Sequence, residues 1–233
     1  MKAFILSAGL GTRLRPITER TPKCLLSVGG KPMLDRWLDA LGHVGVDEVL
    51  VNVHHLPDLV QDHVAKRALP PEVRTVFEPE LLGSAGTLRA NRIWIESDKT
   101  FLVCNVDNLT DFDLSLLVDR HRNVGMMATL AVFHAEVPSA CGIVEVDQSG
   151  RMVGFEEKPS VPKSDLANAG MYAFDSSVLD EIVGPSPQDV GRDLLPRLVG
   201  HAQTVTVDGY FRDIGTLDAY RVAQKEWAVR DER

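Results

Sequence analysis

Residues 1–32 read MKAFILSAGLGTRLRPITERTPKCLLSVGGKP, and the way this stretch folds governs the rest of the chain. Ala3 to Leu6 is a short apolar run with two bulky β-formers, Phe4 and Ile5, and reads as a buried strand. The chain then breaks into Ser7, Ala8, Gly9, Leu10, Gly11 and Thr12. Small residues let the backbone approach a ligand and turn its N–H groups toward an anion. Arg13 and Arg15 follow at once, and Lys23 comes after Thr21-Pro22. A glycine loop, a fixed cation and a second cation on a Pro-stiffened loop suit a polyphosphate. Two commoner phosphate loops are excluded by spelling. No G-x-x-x-x-G-K-[ST] string occurs, and the last glycine of G-x-G-x-x-G is replaced by Leu14. The bland alternative is an ordinary tight β-to-α turn with solvated arginines.

Working outward, Pro32 looks like the first residue of a helix. Leu34, Trp37, Leu38 and Leu41 then repeat at helical spacing, with Gly42 or Gly45 as the stop. Val46 to Val53 reads as a second strand, Leu56 to Lys66 as a helix and Val73 to Phe77 as a third strand. This βαβαβ rhythm predicts an α/β fold with a doubly wound, mostly parallel sheet. Ligands in such sheets sit at the carboxyl ends of the strands. The Gly9 loop, the segment after Phe77 and the segment after Cys104 should therefore share one crevice.

The whole chain narrows the function classes. Its 233 residues allow one large α/β domain with a full core. A 44% apolar and 25% charged composition is that of a globular protein rather than a disordered one. No apolar run approaches the roughly 18 residues of a membrane span. The start shows a single Lys2 and then a strand, unlike a signal peptide. A net charge of −8 disfavours general binding to nucleic acid or anionic membranes. Any anionic substrate must be held by local cations. Cys24, Cys104 and Cys141 lie far apart without zinc spacing and look like reduced thiols of a cytoplasmic protein.

Further along, Glu78 to Gly86 (EPELLGSAG) sets Gly83 and Gly86 around small residues before a predicted helix, Thr87 to Ile95. A helix start can hold a phosphate or ribose oxygen, and a plain capped loop has the same spelling. Thr100 to Cys104 is an apolar strand that ends in Asn105-Val106-Asp107-Asn108. An acidic residue past a strand end suits Mg²⁺, and an Asx turn suits it equally. Asp111 and Asp113 look like loop and cap residues for a helix from Leu114 to Arg122.

From Met126 the chain is strand-rich, with Met126–Phe133, Gly142–Val146 and Met152–Phe155 as candidate strands. Glu156-Glu157-Lys158-Pro159 and Asn168-Ala169-Gly170-Met171-Tyr172 follow. A solvated charge pair is the ordinary fate of Glu157-Lys158. Short helical patterns occupy Val178–Val183 and Gly191–Val199. The closing block is GYFRDIGT, Gly209 to Thr216, before a helix from Leu217 to about Val229. On its own, Asp213 in that block reads as a buried turn residue.

Taken in order, G-L-G-T-R-L-R-P-I-T, P-K-C-L-L and G-G-K-P-M-L resemble the signature of the sugar-1-phosphate nucleotidylyltransferases. Mannose-1-phosphate guanylyltransferases and glucose-1-phosphate thymidylyltransferases are of this type. The resemblance runs from Met1 to about Trp227. It implies a Rossmann-like sheet with a strand-rich sugar-binding insertion. It also implies one domain over residues 1–233, about 1–125 for the nucleotide and about 126–233 for the sugar phosphate, in a short form without a C-terminal β-helix.

The implied reaction joins a nucleoside triphosphate to a sugar 1-phosphate and releases pyrophosphate, with Mg²⁺ as cofactor. Arg13, Lys23 and Asp107 would be catalytic. Ala8, Gly9, Leu10, Gly11, Thr12, Arg13, Lys23, Glu78, Gly83 and Ser84 would bind the nucleotide. Gly142, Glu157, Lys158, Asn168 and Gly170 would bind the sugar phosphate, and Asp107 and Asp213 the metal. Ser84 stands where the family has Thr, Leu81 and Leu217 where it has Pro, Val106 where it often has Gly, and Phe211 where it has Trp.

Glu78 matches the base-reading position, and a carboxylate there pairs best with the adjacent N1–H and N2–H of guanine, so GTP is the favoured nucleotide. A uridylyl- or thymidylyltransferase is the alternative, then a non-catalytic nucleotide-sugar sensor. A glycosyltransferase using Asp111-Phe112-Asp113 would leave Arg13 and Lys23 without purpose. No histidine needs a catalytic role, and His54-His55 looks like a surface pair at a strand end. A monomer or homodimer is expected, without nucleic acid or membrane partners.

Overall fold

The computed structural model describes residues 1–96 and 98–231. In chain order the first half holds β1 (Lys2–Leu6), β2 (Ser27–Val28), β3 (Lys31–Pro32), α1 (Met33–His43), β4 (Glu48–Val53), α2 (Pro57–Ala65) and β5 (Glu72–Phe77). Then come α3 (Ser84–Ala90), α4 (Arg92–Ile95), β6 (Thr100–Asn105), β7 (Asn108–Thr110) and α5 (Leu114–Val124). The rest holds β8 (Ala128–His134), β9 (Gly142–Val146), β10 (Met152–Glu157), β11 (Leu166–Asp175), β12 (Ala202–Thr206), β13 (Phe211–Asp213) and α6 (Leu217–Asp231). Two compact units result: a first unit of residues 3–81, 104–111 and 210–233, and a second of residues 1–2, 82–103 and 112–209.

The first unit carries the expected βαβαβ order. β1 neighbours β4, and β4 pairs in parallel with β5 in register from Glu48↔Glu72 to Val53↔Phe77. Parallel neighbours need a crossover, and α1 and α2 supply it. Leu34, Trp37, Leu38 and Leu41 are all buried, so the apolar stripe of α1 faces the core as its spacing requires. Phe4, Ile5, Val49 and Val51 fill the same core. Each such side chain contributes about 1.5–3 kcal/mol of burial free energy. Pro32 ends β3 with extended geometry and precedes α1 instead of opening it, and the helix runs through Gly42 to His43.

The second unit is mainly antiparallel. β11 pairs antiparallel with β8 and β9, β10 forms a hairpin with β9, and β12 runs parallel to β8. The register of β11 against β8 jumps between Asn168 and Tyr172, where Gly170 adopts a φ of +66°. This is a bulge, and it lifts the Asn168–Tyr172 segment out of regular pairing. The helix expected over Thr87–Ile95 starts earlier, at Ser84, and divides at Asn91. Gly191–Val199 is a π turn over Val190–Leu194 followed by a 3-10 turn over Leu195–Leu198.

Candidate active site

In the first unit the carboxyl ends of three strands are tied together. Ser7, just past β1, donates its backbone N–H to Asn52 Oδ1 at 2.7 Å. Asn52, near the end of β4, donates from Nδ2 to Glu78 Oε1 at 2.9 Å. Glu78 follows β5 and donates its backbone N–H to the Val53 carbonyl at 2.9 Å. Asn52 and Glu78 are each only 3% exposed. Buried polar groups of this kind are retained when they are bonded, and here they brace the start of the glycine loop.

The loop itself opens to solvent. Ala8 is buried, whereas Gly9, Leu10, Thr12 and Arg13 are exposed and Gly11 is half-buried. Gly11 adopts a φ of +61°, which a side chain would strain, and it caps the short turn Thr12–Leu14. His54 and His55 are half-buried and bonded, which corrects their reading as a surface pair. His54 Nδ1 bonds to the Glu78 carbonyl at 2.7 Å and His55 Nε2 to the Thr18 carbonyl at 2.6 Å.

Four charged groups meet beside this loop. Val106 donates its N–H to the Leu6 carbonyl at 3.2 Å, which sets Asp107 next to the end of β1. β7 pairs with β13 so that Asn108 faces Asp213, and Ile214 donates its N–H to the Asp107 carbonyl at 2.9 Å. Lys23 Nζ forms a salt bridge with Asp107 Oδ2. Asp213 Oδ1 accepts the Gly215 N–H at 2.5 Å. A Cβ placed on Gly215 would lie 2.6 Å from Asp213 Oδ1, 3.3 Å from Arg13 Nη2 and 3.4 Å from Lys23 Nζ. Gly215 thus marks the point where both cations and a carboxylate converge, and any side chain there would displace them.

The Asp213 side chain is open to solvent on one side, yet its carboxyl titrates above the ordinary aspartate value. Crowding by the protein is the main cause and the Asp107 charge adds to it, while Lys23, the Gly215 N–H and Arg13 oppose the rise. Two neighbouring carboxylates that repel each other suit a divalent cation. Among the described residues no group of three or more His, Cys, Asp or Glu is placed to enclose a metal. Mg²⁺ does not need one, because it commonly takes one or two carboxylates and completes its shell with water and substrate phosphates. Burial pushes the nearby Cys24 thiol up to about 11, so it is not a nucleophile near neutral pH.

The second unit holds the other expected residues. Glu157 faces Gly142 across the β9–β10 hairpin. A Cβ on Gly142 would come within 2.6 Å of Glu157 Oε2, and one on Gly191 within 3.0 Å. Both glycines make room for this carboxyl. Burial raises it above the ordinary glutamate value; Lys158 and Arg192 pull it down and Asp189 pushes it up. Lys158 adopts a φ of +49°, donates its backbone N–H to the Cys141 carbonyl at 3.0 Å and has a side chain 65% exposed, with Nζ 3.9 Å from Glu157 Oε1. In the β11 bulge Asn168 Oδ1 accepts the Gly170 N–H at 3.0 Å, and Asn168 Nδ2 donates to the Tyr172 hydroxyl at 2.7 Å.

Gly83 and Ser84 also belong to this unit. Gly83 has a φ of +75° and packs so closely that a Cβ would sit 2.2 Å from the Gln188 carbonyl oxygen. Ser84 Oγ donates to Asp189 Oδ2 at 2.8 Å and accepts the Val190 N–H at 2.7 Å. Asp189 thus touches the Ser84 segment and influences Glu157. Nothing local in the sequence marks Asp189, because 105 residues separate it from Ser84.

The model of the nucleotidyl transferase family matches residues 2–229. The chain belongs to the nucleotidyl transferase family. This family member is 34% identical to a UTP–glucose-1-phosphate uridylyltransferase of Synechocystis sp., covering 94% of this chain and 61% of that protein. It is 36% identical to the mannose-1-phosphate guanylyltransferase catalytic subunit beta of Drosophila melanogaster, covering 92% of this chain and 59% of that one. The nucleotidyl transferase chain therefore spans about 60% of the length of these curated relatives. Its fold matches HddC from Yersinia pseudotuberculosis, solved in complex with GMP-PN, with a TM-score of 0.80 at 23% identity over 97% of this chain and 99% of that one. A Bacillus anthracis chain solved with sucrose gives a TM-score of 0.84, also at 23% identity, over 97% and 94%. These matches bear out the expected α/β class.

Proposed function

We propose that this chain transfers a nucleoside monophosphate from a nucleoside triphosphate to a sugar 1-phosphate and releases pyrophosphate. The observation that carries this reading is the convergence of Arg13, Lys23 and Asp213 on Gly215, with Asp107 bridged to Lys23. In this reading a sugar phosphate oxygen forms a bond to the α-phosphorus as the bond to pyrophosphate breaks. Negative charge grows on the α-phosphoryl oxygens and the leaving group, so fixed cations and positioning supply most of the catalysis. Arg13 and the Gly9–Thr12 backbone hold the outer phosphates, and Lys23 turns its ammonium to the α-phosphate. Asp107 and Asp213 would hold Mg²⁺, which would supply positive charge to neutralise the phosphates. The sugar phosphate is already ionised near neutral pH, so no general base is needed.

Glu157 accepts hydrogen bonds from sugar hydroxyls, and Lys158 binds the sugar's phosphate as a point charge. Gly142, Asn168 and Gly170 line the sugar, while Gly83 and Ser84 follow the nucleoside. GTP is the favoured nucleotide, because a guanylyltransferase stands among the similar proteins; Glu78, buried and bonded to Asn52, braces the loop beside the base and does not by itself carry that choice. The uridylyltransferase relative favours the second reading, UTP. Cys24, Cys104 and Cys141 form no disulfide among the described residues, which fits a reducing, cytoplasmic setting. No helix among the described residues is long and apolar enough to cross a membrane. Pyrophosphate release, measured over a matrix of GTP, UTP, dTTP, CTP and ATP against hexose 1-phosphates, tests the reading. Release dependent on both substrates supports it, and release with no sugar phosphate added contradicts it.

A further inference from the structure

We propose that Thr18 and His55 are positioning residues that aim the glycine loop at the triphosphate. The inference rests on reading Ser7–Arg13 as the triphosphate loop. Thr18 lies on the short turn Ile17–Glu19 and is 1% exposed. Its hydroxyl donates to the Gly11 carbonyl at 2.7 Å, and its methyl carbon fills the space beside Gly11, 2.8 Å from where a Cβ would lie. The Gly11 carbonyl also accepts the Leu14 N–H at 2.9 Å. Thr18 is held in turn by His55, whose Nε2 bonds to the Thr18 carbonyl at 2.6 Å. A carbonyl only accepts, so His55 carries its proton on Nε2 in this bond.

The peptide bond turns this latch into an aiming device. In a trans peptide the carbonyl and the next N–H point in opposite directions. Two donors hold the Gly11 carbonyl inward, toward buried Thr18. The Thr12 N–H must then point outward, on the side where Thr12 and Arg13 are exposed. An inward carbonyl also removes a partial negative charge from the face that a phosphate would approach. The left-handed Gly11 sets the same turn, and Thr18 leaves no room for a side chain in its place.

The test compares Thr18→Val, which keeps the shape and removes the hydroxyl, with Thr18→Ser, which keeps the hydroxyl. His55→Ala and His55→Gln form an independent pair at a half-buried position. Calorimetry with GTP and with UTP in the presence of Mg²⁺ reads nucleotide affinity without turnover, and steady-state kinetics read KM for each substrate. Thr18→Val should weaken nucleotide binding by about tenfold, the scale of one lost bond to a partly buried carbonyl. KM for the sugar phosphate should change by less than about twofold, because the latch does not touch Glu157 or Lys158. Thr18→Ser and His55→Gln should recover most of the affinity lost in Thr18→Val and His55→Ala. If Thr18→Val proves too unstable to purify, the His55 pair and Thr18→Ser decide. Wild-type nucleotide affinity in Thr18→Val and His55→Ala, or equal weakening for both substrates, overturns the proposal. Failure of the wild-type protein to bind either nucleotide overturns the triphosphate reading itself.

Discussion

Lys23 and Asp107 form a salt bridge in which Nζ of the lysine donates to Oδ2 of the aspartate, and their side chains are only 13% and 19% exposed. One ammonium thereby neutralises a carboxylate that lies beside a second carboxylate, Asp213. Breaking such a pair from one side leaves the other charge stranded. Lys23→Met should lower stability by about 1–3 kcal/mol, and adding Asp107→Asn should recover part of that loss. Urea unfolding of the two single variants and the double variant measures the coupling. Strictly additive losses would mean that the bridge has no net role in the fold.

Arg13 reaches toward Gly215 as a planar guanidinium, a shape that lysine does not copy. Arg13→Lys should lower turnover by more than about tenfold while leaving the melting temperature unchanged, since the side chain is exposed. Near-normal turnover in that variant would take Arg13 out of the mechanism.

The carboxylates make a separate prediction about metal. Asp107→Asn and Asp213→Asn preserve shape and remove a hard anionic ligand. Each should raise the Mg²⁺ concentration for half-maximal rate and lower the maximum. A wild-type Mg²⁺ titration in either variant would exclude that residue as a ligand.

Much of this was legible in the sequence because it is local. Phe4-Ile5, the α1 stripe and the β4 and β5 runs each encode their own burial, and loops at parallel strand ends place Gly9, Glu78 and Asp107 in one unit. The helix break at Asn91 was less visible. There the Asn91 side chain donates to the Thr87 carbonyl at 2.9 Å and competes with the helix's own bonding. The π turn at Val190–Leu194 escaped a 3.6-residue period for a similar reason. Asp189 caps it by accepting from the Gly191 and Arg192 N–H groups at 2.9 and 3.2 Å. Long-range bonds left no pattern at all. His55 reaches Thr18 across 37 positions, and neither residue type announces that contact.

Glu157 supplies a pH-dependent test. The Glu157 side chain is about one-third open to solvent, and its partial burial raises the carboxyl above the ordinary glutamate value, so the folded chain holds that proton more readily than the unfolded chain. Above the folded value the charged carboxylate costs stability. The cost disappears as pH falls through the folded value toward the ordinary one. Glu157→Gln lacks this cost, so its advantage in melting temperature over the wild type should be largest at neutral pH and shrink on acidification. A gap that stays flat or widens toward acid would contradict the raised titration.

Transfer of the α-phosphorus itself is the most direct measurement. With α-³²P-labelled GTP or UTP, a hexose 1-phosphate and Mg²⁺, label should appear in a nucleoside diphosphate sugar and none in pyrophosphate. Arg13→Lys should slow that appearance. Label that remains in the triphosphate under every pairing, or that leaves only as free nucleoside monophosphate, would contradict nucleotidyl transfer to a sugar 1-phosphate.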